Sequence, residues 1–232
     1  MIEKTLNGKW QMRQTTWDKW VEADVPGDMY SDLLNANLAE DPFYRENEYD
    51  ALKLSYNDYE YRTSFEVDKC LLSNEKVFLC CNGLDTLAEI TLNGKKIGGT
   101  DNMHRMYEFD VKNILIEGEN TIYILFSSPV KYCEKKHAEE PVLERDDSLK
   151  GSYYLRKAHC MFGWDWGPKL PNMGIWRDIS IKGYNIERIE QVYIKQNHQK
   201  EKVSLDIRVN REVWTEQDTQ IKIDIETPDG KK

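Results

Sequence analysis

The sequence predicts an all-β protein, an antiparallel sandwich or jelly roll followed by the opening of a second sandwich. Three observations carry this. Apolar residues recur with period two along most of the chain, the runs are short and bounded by turn residues, and helical periodicity is scarce. The 232 residues suit one large β domain, or one domain and part of another, and a composition 40% hydrophobic and 11% aromatic supplies a sizeable core.

Taken in order, Asp28 to Leu38 reads as one short helix after Pro26-Gly27, with Met29, Leu33 and Leu34 facing inward. Tyr59, Tyr61, Thr63, Phe65 and Val67 alternate with Glu60, Arg62, Ser64 and Glu66, the pattern of a half-buried strand. The continuous apolar run Val77-Phe78-Leu79-Cys80-Cys81 predicts a strand covered on both faces. Leu87 to Leu92 leads into Asn93-Gly94, a strong two-residue hairpin signal, and Lys95-Lys96-Ile97 begins the return. Thr121 to Phe126 follows the turn residues Glu117-Gly118-Glu119-Asn120 as another strand, and Ile175 to Ile181 reads as a closing one.

Gly183-Tyr184-Asn185 then marks a boundary, giving a first domain over 1–184 and a second over 185–232. New strands are expected near Ile189, Val203 and Ile221, the last from the alternation of Ile221, Ile223 and Ile225. An immunoglobulin-like sandwich needs about 100 residues and about seven strands, so three strands predict a truncated one. Thr227-Pro228-Asp229-Gly230 reads as a turn with nothing after it.

A formal charge of −9 disfavours nucleic acid and anionic membrane as partners, both of which would repel the chain. No apolar run approaches the ~20 residues of a membrane span, and Met1-Ile2-Glu3-Lys4-Thr5 shows no cationic-then-apolar leader. The five cysteines (70, 80, 81, 133 and 160) form no C-x-x-C and suggest neither a disulfide framework nor a zinc knuckle. With no N-x-S/T acceptor, this predicts a cytoplasmic location. His104, His137, His159 and His198 lack ligand spacing, so neither metal nor cofactor is expected, and the adjacency of His159 and Cys160 does not make a catalytic pair.

The most unusual segment is Phe162-Gly163-Trp164-Asp165-Trp166-Gly167-Pro168. A regular strand would point both indoles one way and the carboxylate the other. Flanking glycines relax that limit, so a turn could present all three side chains together. An aromatic plate for C–H faces beside a carboxylate for paired hydroxyls is the equipment of carbohydrate recognition. The residues alone equally allow two core tryptophans and an Asp165 that caps a turn. Arg156-Lys157, just upstream, would either steady Asp165 by charge or lie at the surface.

Ordered blocks along nearly the whole chain resemble the N-terminal part of the β-mannosidases, in the clan that also holds β-galactosidases and β-glucuronidases. The blocks are Leu6-Asn7-Gly8-Lys9-Trp10, Val25-Pro26-Gly27-Asp28, Asp41-Pro42-Phe43-Tyr44, Tyr59-Glu60-Tyr61-Arg62, Gly83-Leu84-Asp85-Thr86-Leu87-Ala88 and Leu92-Asn93-Gly94. They continue through Thr100-Asp101-Asn102-Met103, Leu155-Arg156-Lys157, Phe162 to Pro168 and Gly174-Ile175-Trp176. His159-Cys160-Met161, where polar residues are more usual, is a mild departure. The resemblance implies a galactose-binding-domain-like jelly roll, an immunoglobulin-like domain, then a TIM barrel with two catalytic glutamates. It further implies that Trp164, Asp165 and Trp166 hold a terminal mannose against that barrel.

The catalytic pair of a retaining glycosidase, two carboxyl groups ~5–5.5 Å apart, therefore falls outside these residues, and no catalytic residue is expected within them. Glu48, in Asn47-Glu48, looks like a catalytic Asn-Glu pair but sits in a front-end loop, and Glu139-Glu140 and Asp146-Asp147 read as solvated surface. The expected partners are a mannoside and the missing barrel of the same chain. A stand-alone carbohydrate-binding module is the alternative, and a purely structural domain a third reading, which leaves the Trp-Asp-Trp segment without a purpose.

Overall fold

The computed structural model describes residues 1–144, 147–200, 202–226 and 230, and the chain divides into two compact units, Met1–Gly183 and Tyr184–Lys232. The first unit holds strands β1 (Ile2–Thr5), β2 (Gly8–Gln14), β3 (Val21–Val25), β4 (Tyr59–Val67), β5 (Lys76–Cys81), β6 (Ala88–Leu92), β7 (Lys95–Thr100), β8 (Tyr107–Asp110), β9 (Gly118–Phe126) and β10 (Ile179–Tyr184). Two antiparallel sheets result, one ordered β3-β2-β4-β9-β6-β7 and the other β1-β10-β5-β8. β1 pairs with β10, so the start of the chain closes against the end of its own unit.

The long pair β4–β9 sits mid-sheet, in register from Tyr59 opposite Phe126 to Val67 opposite Gly118. Its alternation sorts the side chains: Tyr59, Tyr61, Phe65 and Val67 are buried, while Ser64 and Glu66 face water. Tyr61 meets Phe126 edge-on at 5.6 Å. Each fully buried large apolar side chain of this kind contributes about 1.5–3 kcal/mol. β5 is buried from Val77 to Cys81, as expected for a strand covered on both sides. Asn93 (φ 50°) and Gly94 (φ 76°) both take the left-handed conformation that a type I′ hairpin between β6 and β7 requires.

The short helix α1 covers Met29–Asn35, less than the Asp28 to Leu38 span expected. Asp28 caps it, accepting from the backbone N–H of Tyr30 and Ser31. It stops because Asn37 turns left-handed (φ 54°) and Leu38 N donates back to Leu33 O at 2.8 Å, closing the C-terminal carbonyls. Met29 and Leu33 are buried, but Leu34 is only half-buried and Leu38 exposed.

Three further helices were not foreseen: α2 (Asn47–Leu54), the single turn α3 (Lys69–Leu72) and α4 (Pro129–Glu139). α4 begins on Ser128, whose hydroxyl accepts from Lys131 N–H, with Pro129 in the first turn. The closing strand also starts later than expected, at Ile179. Gly174 is instead tied to Asp85 by two 2.9 Å backbone bonds, which diverts residues ahead of β10 from the ladder.

In the second unit β11 (Glu187–His198) pairs with β12 (Val203–Val213). Val192 lies opposite Val209 and Ile194 opposite Ile207 on one face, with Tyr193 opposite Arg208 and Lys195 opposite Asp206 on the other. That apolar face is largely exposed. Ile221, Ile223 and Ile225 alternate as a strand would, yet among the described residues they form no ladder and all three are exposed. Alternation shows that a segment can be a strand, and a hydrogen-bonded partner is needed to make it one. Of the Thr227-Pro228-Asp229-Gly230 turn, all but Gly230 lies outside the described residues.

Candidate functional site

The Trp-Asp-Trp loop grows out of a small core of its own. Phe162 is fully buried with Cys133 of α4 and Leu155, flanked by Leu87, Tyr132 and Leu149. Its carbonyl accepts from Leu149 N–H at 2.9 Å. The next residue, Gly163, has φ 121°, and a Cβ there would lie 2.7 Å from the Asp147 carbonyl oxygen. Only glycine lets the chain leave the core in that direction. Gly167 is different, with open space where a Cβ would go and no left-handed φ. One glycine, rather than two, is sterically required.

Between them Gly167 N–H donates to Trp164 O at 3.3 Å, closing a tight turn with Asp165 and Trp166 at its tip. Trp164 is 38% and Trp166 75% exposed. Asp165 is exposed and makes no hydrogen bond or ion pair with the described residues. An indole can bury 150–250 Å2, so leaving one in water forgoes about 3 kcal/mol or more at ~25 cal/mol per Å2. The arrangement presents an aromatic surface and a free carboxylate together at the end of an anchored turn.

Lys157 does something neither expectation allowed. It neither approaches Asp165 nor lies at the surface, because its side chain is wholly buried and ion-paired with Asp85. Its ammonium also donates to Asn172 O at 2.8 Å, and burial holds its pKa below the ordinary lysine range despite Asp85. Thr86 donates to Asp85, and Asp85 is the residue bound to Gly174 through its backbone. Gly27 N–H and Met29 N–H donate to Ile175 O and Met173 O, both at 2.9 Å. Four separated sequence blocks, around residues 27, 85, 157 and 174, therefore meet at one buried polar knot. The available signal was local: Leu155 and Lys157 point in while Arg156 is exposed, a period-two pattern whose third member happens to be charged.

The remaining candidates fall elsewhere. Glu48 lies half-buried in the first turn of α2, where a carboxylate faces the positive end of the helix dipole. Glu139 is exposed and pairs with Lys136 at 3.1 Å. Glu140 is exposed too, and Asp146 lies outside the described residues. His159 packs edge-on against Tyr153 at 5.2 Å, and Cys160 is exposed beside it. Burial pushes the Cys133 thiol up to about 12, which disfavours a thiolate there. Among the described residues no three His, Cys, Asp or Glu side chains group as metal ligands would.

Comparison with known proteins agrees with this architecture. The model of the glycosyl hydrolase 2 galactose-binding domain-like family matches residues 10–177. The β-mannosidase of Mus musculus is 36% identical over 195 residues, 80% of this chain and 22% of that protein. A probable β-mannosidase of Caenorhabditis elegans is 32% identical over 190 residues, 77% of this chain and 21% of its own length. The crystal structure of a β-D-mannosidase from Dictyoglomus thermophilum superposes with a TM-score of 0.87 at 38% identity, covering 92% of this chain and 26% of that one. A β-glucuronidase of an uncultured Clostridium shares the fold at a TM-score of 0.60 and 17% identity, over 90% of this chain and 34% of its own. The chain thus spans about a fifth of the length of the curated relatives it matches. On its sandwich, its ordered blocks and these likenesses, the chain belongs to the glycosyl hydrolase 2 galactose-binding domain-like family and is similar to the β-mannosidases within it.

Proposed function

We propose that the chain serves as the N-terminal, sugar-holding portion of a retaining exo-β-mannosidase that removes terminal non-reducing β-D-mannose from oligosaccharides. The observation that carries this reading is the exposed turn, in which Asp165 and Trp166 stand in solvent on a rigidly anchored base. Asp165 accepts hydrogen bonds from two hydroxyls of the terminal sugar, and Trp164 and Trp166 cover its C–H surface. The two carboxyl groups of the reaction come from a catalytic barrel outside these 232 residues. One attacks the anomeric carbon to form the glycosyl-enzyme, and the other protonates the leaving oxygen and then activates water. Tyr184–Lys232 is the start of an immunoglobulin-like domain, whose remaining strands would cover the apolar face of β11 and β12.

Asp165→Asn in the full-length protein tests this. The change keeps size and removes the charge, and hydrogen bonds to a charged group are worth about 1.5–3 kcal/mol. An aryl β-mannoside should show a fall in kcat/KM of roughly ten- to a hundred-fold. The melting temperature should hold, because Asp165 is exposed and has no hydrogen-bond or ion-pair partner among the described residues. Full activity in the variant would take Asp165 out of the site.

A further inference from the structure

The outer face of the six-stranded sheet carries a second concave surface, separate in sequence from the Trp-Asp-Trp turn. The connection between β2 and β3 folds Trp20 back over the strands, and three side chains hold the ring there. The Arg62 guanidinium lies 4.0 Å and that of Arg13 4.6 Å from its centre, and Tyr123 meets it edge-on at 5.7 Å. Beside the ring runs a groove of about 530 Å3, within the ~300–1,000 Å3 range of small-ligand clefts.

Its floor is polar and set by strand register. Glu22, Gln11 and Arg62 lie directly opposite one another across three strands, and Ser64 lies opposite Thr121 in the next row. Arg62 Nε donates to Gln11 Oε1 at 2.9 Å, leaving the Arg62 terminal nitrogens and the Gln11 amide nitrogen as donors. The Ser64 and Thr121 hydroxyls both donate and accept.

The charges nearby cancel internally. Lys9 is bound by Glu22 at 2.7 Å and Asp24 at 2.8 Å, and Arg13 by Glu60 at 2.6 Å, so that with Arg62, which these carboxylates do not pair, three cations and three carboxylates leave the surface without net charge. An anion gains little from a surface without net charge, where Glu22 lies in the same cross-strand row as Arg62. A largely apolar ligand would strip water from Gln11, Arg62, Ser64 and Thr121 without replacing their hydrogen bonds.

We infer that this groove binds a neutral saccharide, with the Trp20 indole along one wall and the Gln11–Arg62 and Ser64–Thr121 rows beneath the hydroxyls. The site would hold a sugar unit away from the Trp-Asp-Trp turn, so that a longer glycan could be gripped at a second point. It stands independently of the catalytic reading, because neither Asp165 nor Trp166 takes part.

The test is calorimetric titration of the 232-residue chain with β-1,4-linked mannobiose, with saturation-transfer NMR alongside. Saturable binding with Kd on the order of 1 mM is expected. It should weaken at least roughly ten-fold in Gln11→Ala/Thr121→Ala, whose changes lie on the solvent face. It should persist in Asp165→Ala/Trp166→Ala, and excess sodium sulfate at constant ionic strength should not displace it. Trp20→Ala should abolish it, and if that variant unfolds the Gln11/Thr121 variant decides. Absence of saturable binding up to about 50 mM mannobiose, binding that disappears with Asp165 and Trp166 but survives the groove variant, or displacement by sulfate would each overturn the proposal.

Discussion

Asp32 offers a direct measurement of what burial costs this fold. It sits in α1 with 1% of its surface exposed, accepting from Asp24 N–H at 2.9 Å and from the Tyr61 hydroxyl at 3.0 Å. Burial outweighs those two bonds and raises its pKa from 3.8 to about 6, with Asp28 and Asp24 adding repulsion. Because the folded value exceeds the unfolded one, the folded state holds the proton more tightly. The stability this contributes is complete below about pH 4 and is lost as pH rises through about 6. A shift of about two units corresponds to ~3 kcal/mol between those limits.

Asp32→Asn removes the titration while keeping an acceptor for Asp24 N–H and offering an amide donor to the Tyr61 oxygen. At pH 7 the variant should be more stable by about 1–3 kcal/mol, or roughly 2–10 °C in melting temperature for a chain of this size. Urea denaturation of both proteins from pH 4 to pH 8 makes the check. Other carboxylates titrate in both, so the difference between the two curves isolates Asp32. It should open between pH 4 and pH 6 and then level. Parallel curves, or a variant less stable at pH 7, would refute the reasoning.

Asp85→Ala should cost about 3–5 kcal/mol, because it strands the Lys157 ammonium without a counter-charge in the interior; Asp85→Ala/Lys157→Met should recover a large part of that in the same denaturation assay. The 232-residue chain alone should not turn over an aryl β-mannoside, and turnover abolished by a substitution within the chain would overturn the assignment of both catalytic carboxyl groups to an absent barrel. In hydrogen exchange, the amides of β11 and β12 should exchange much faster than those of β4 and β9, since a two-stranded ribbon with an uncovered apolar face opens without disturbing a larger core. Equal protection of the two pairs would contradict this.

Local physics was legible in the sequence by itself. The alternation in Tyr59–Val67, the continuous run in β5 and the left-handed turn at Asn93-Gly94 are each dictated by side-chain period or backbone sterics over a few residues. They sufficed for an antiparallel all-β sandwich. Even the helix start at Asp28 was local, since the cap and its amides are adjacent in sequence.

What depended on distant partners was not legible. Ile221–Ile225 has a strand's pattern and, among the described residues, no ladder, because alternation carries no information about whether another strand is beside it. Lys157 could be placed at the surface or beside Asp165 until Asp85, 72 residues away, was seen to neutralise it in the interior. The Trp-Asp-Trp segment could equally be core or surface, because tryptophan serves both. Only the tertiary structure put Phe162 in a core, used Gly163 to turn the chain out of it, and left Asp165 and Trp166 in water. Trp20 shows the same limit: its place over Arg13 and Arg62 comes from the return of one connection across strands that the chain completes some 40 residues later. Burial of charge and the shape of a groove are properties of assembled surfaces, and they arise only when segments far apart in sequence exclude water together.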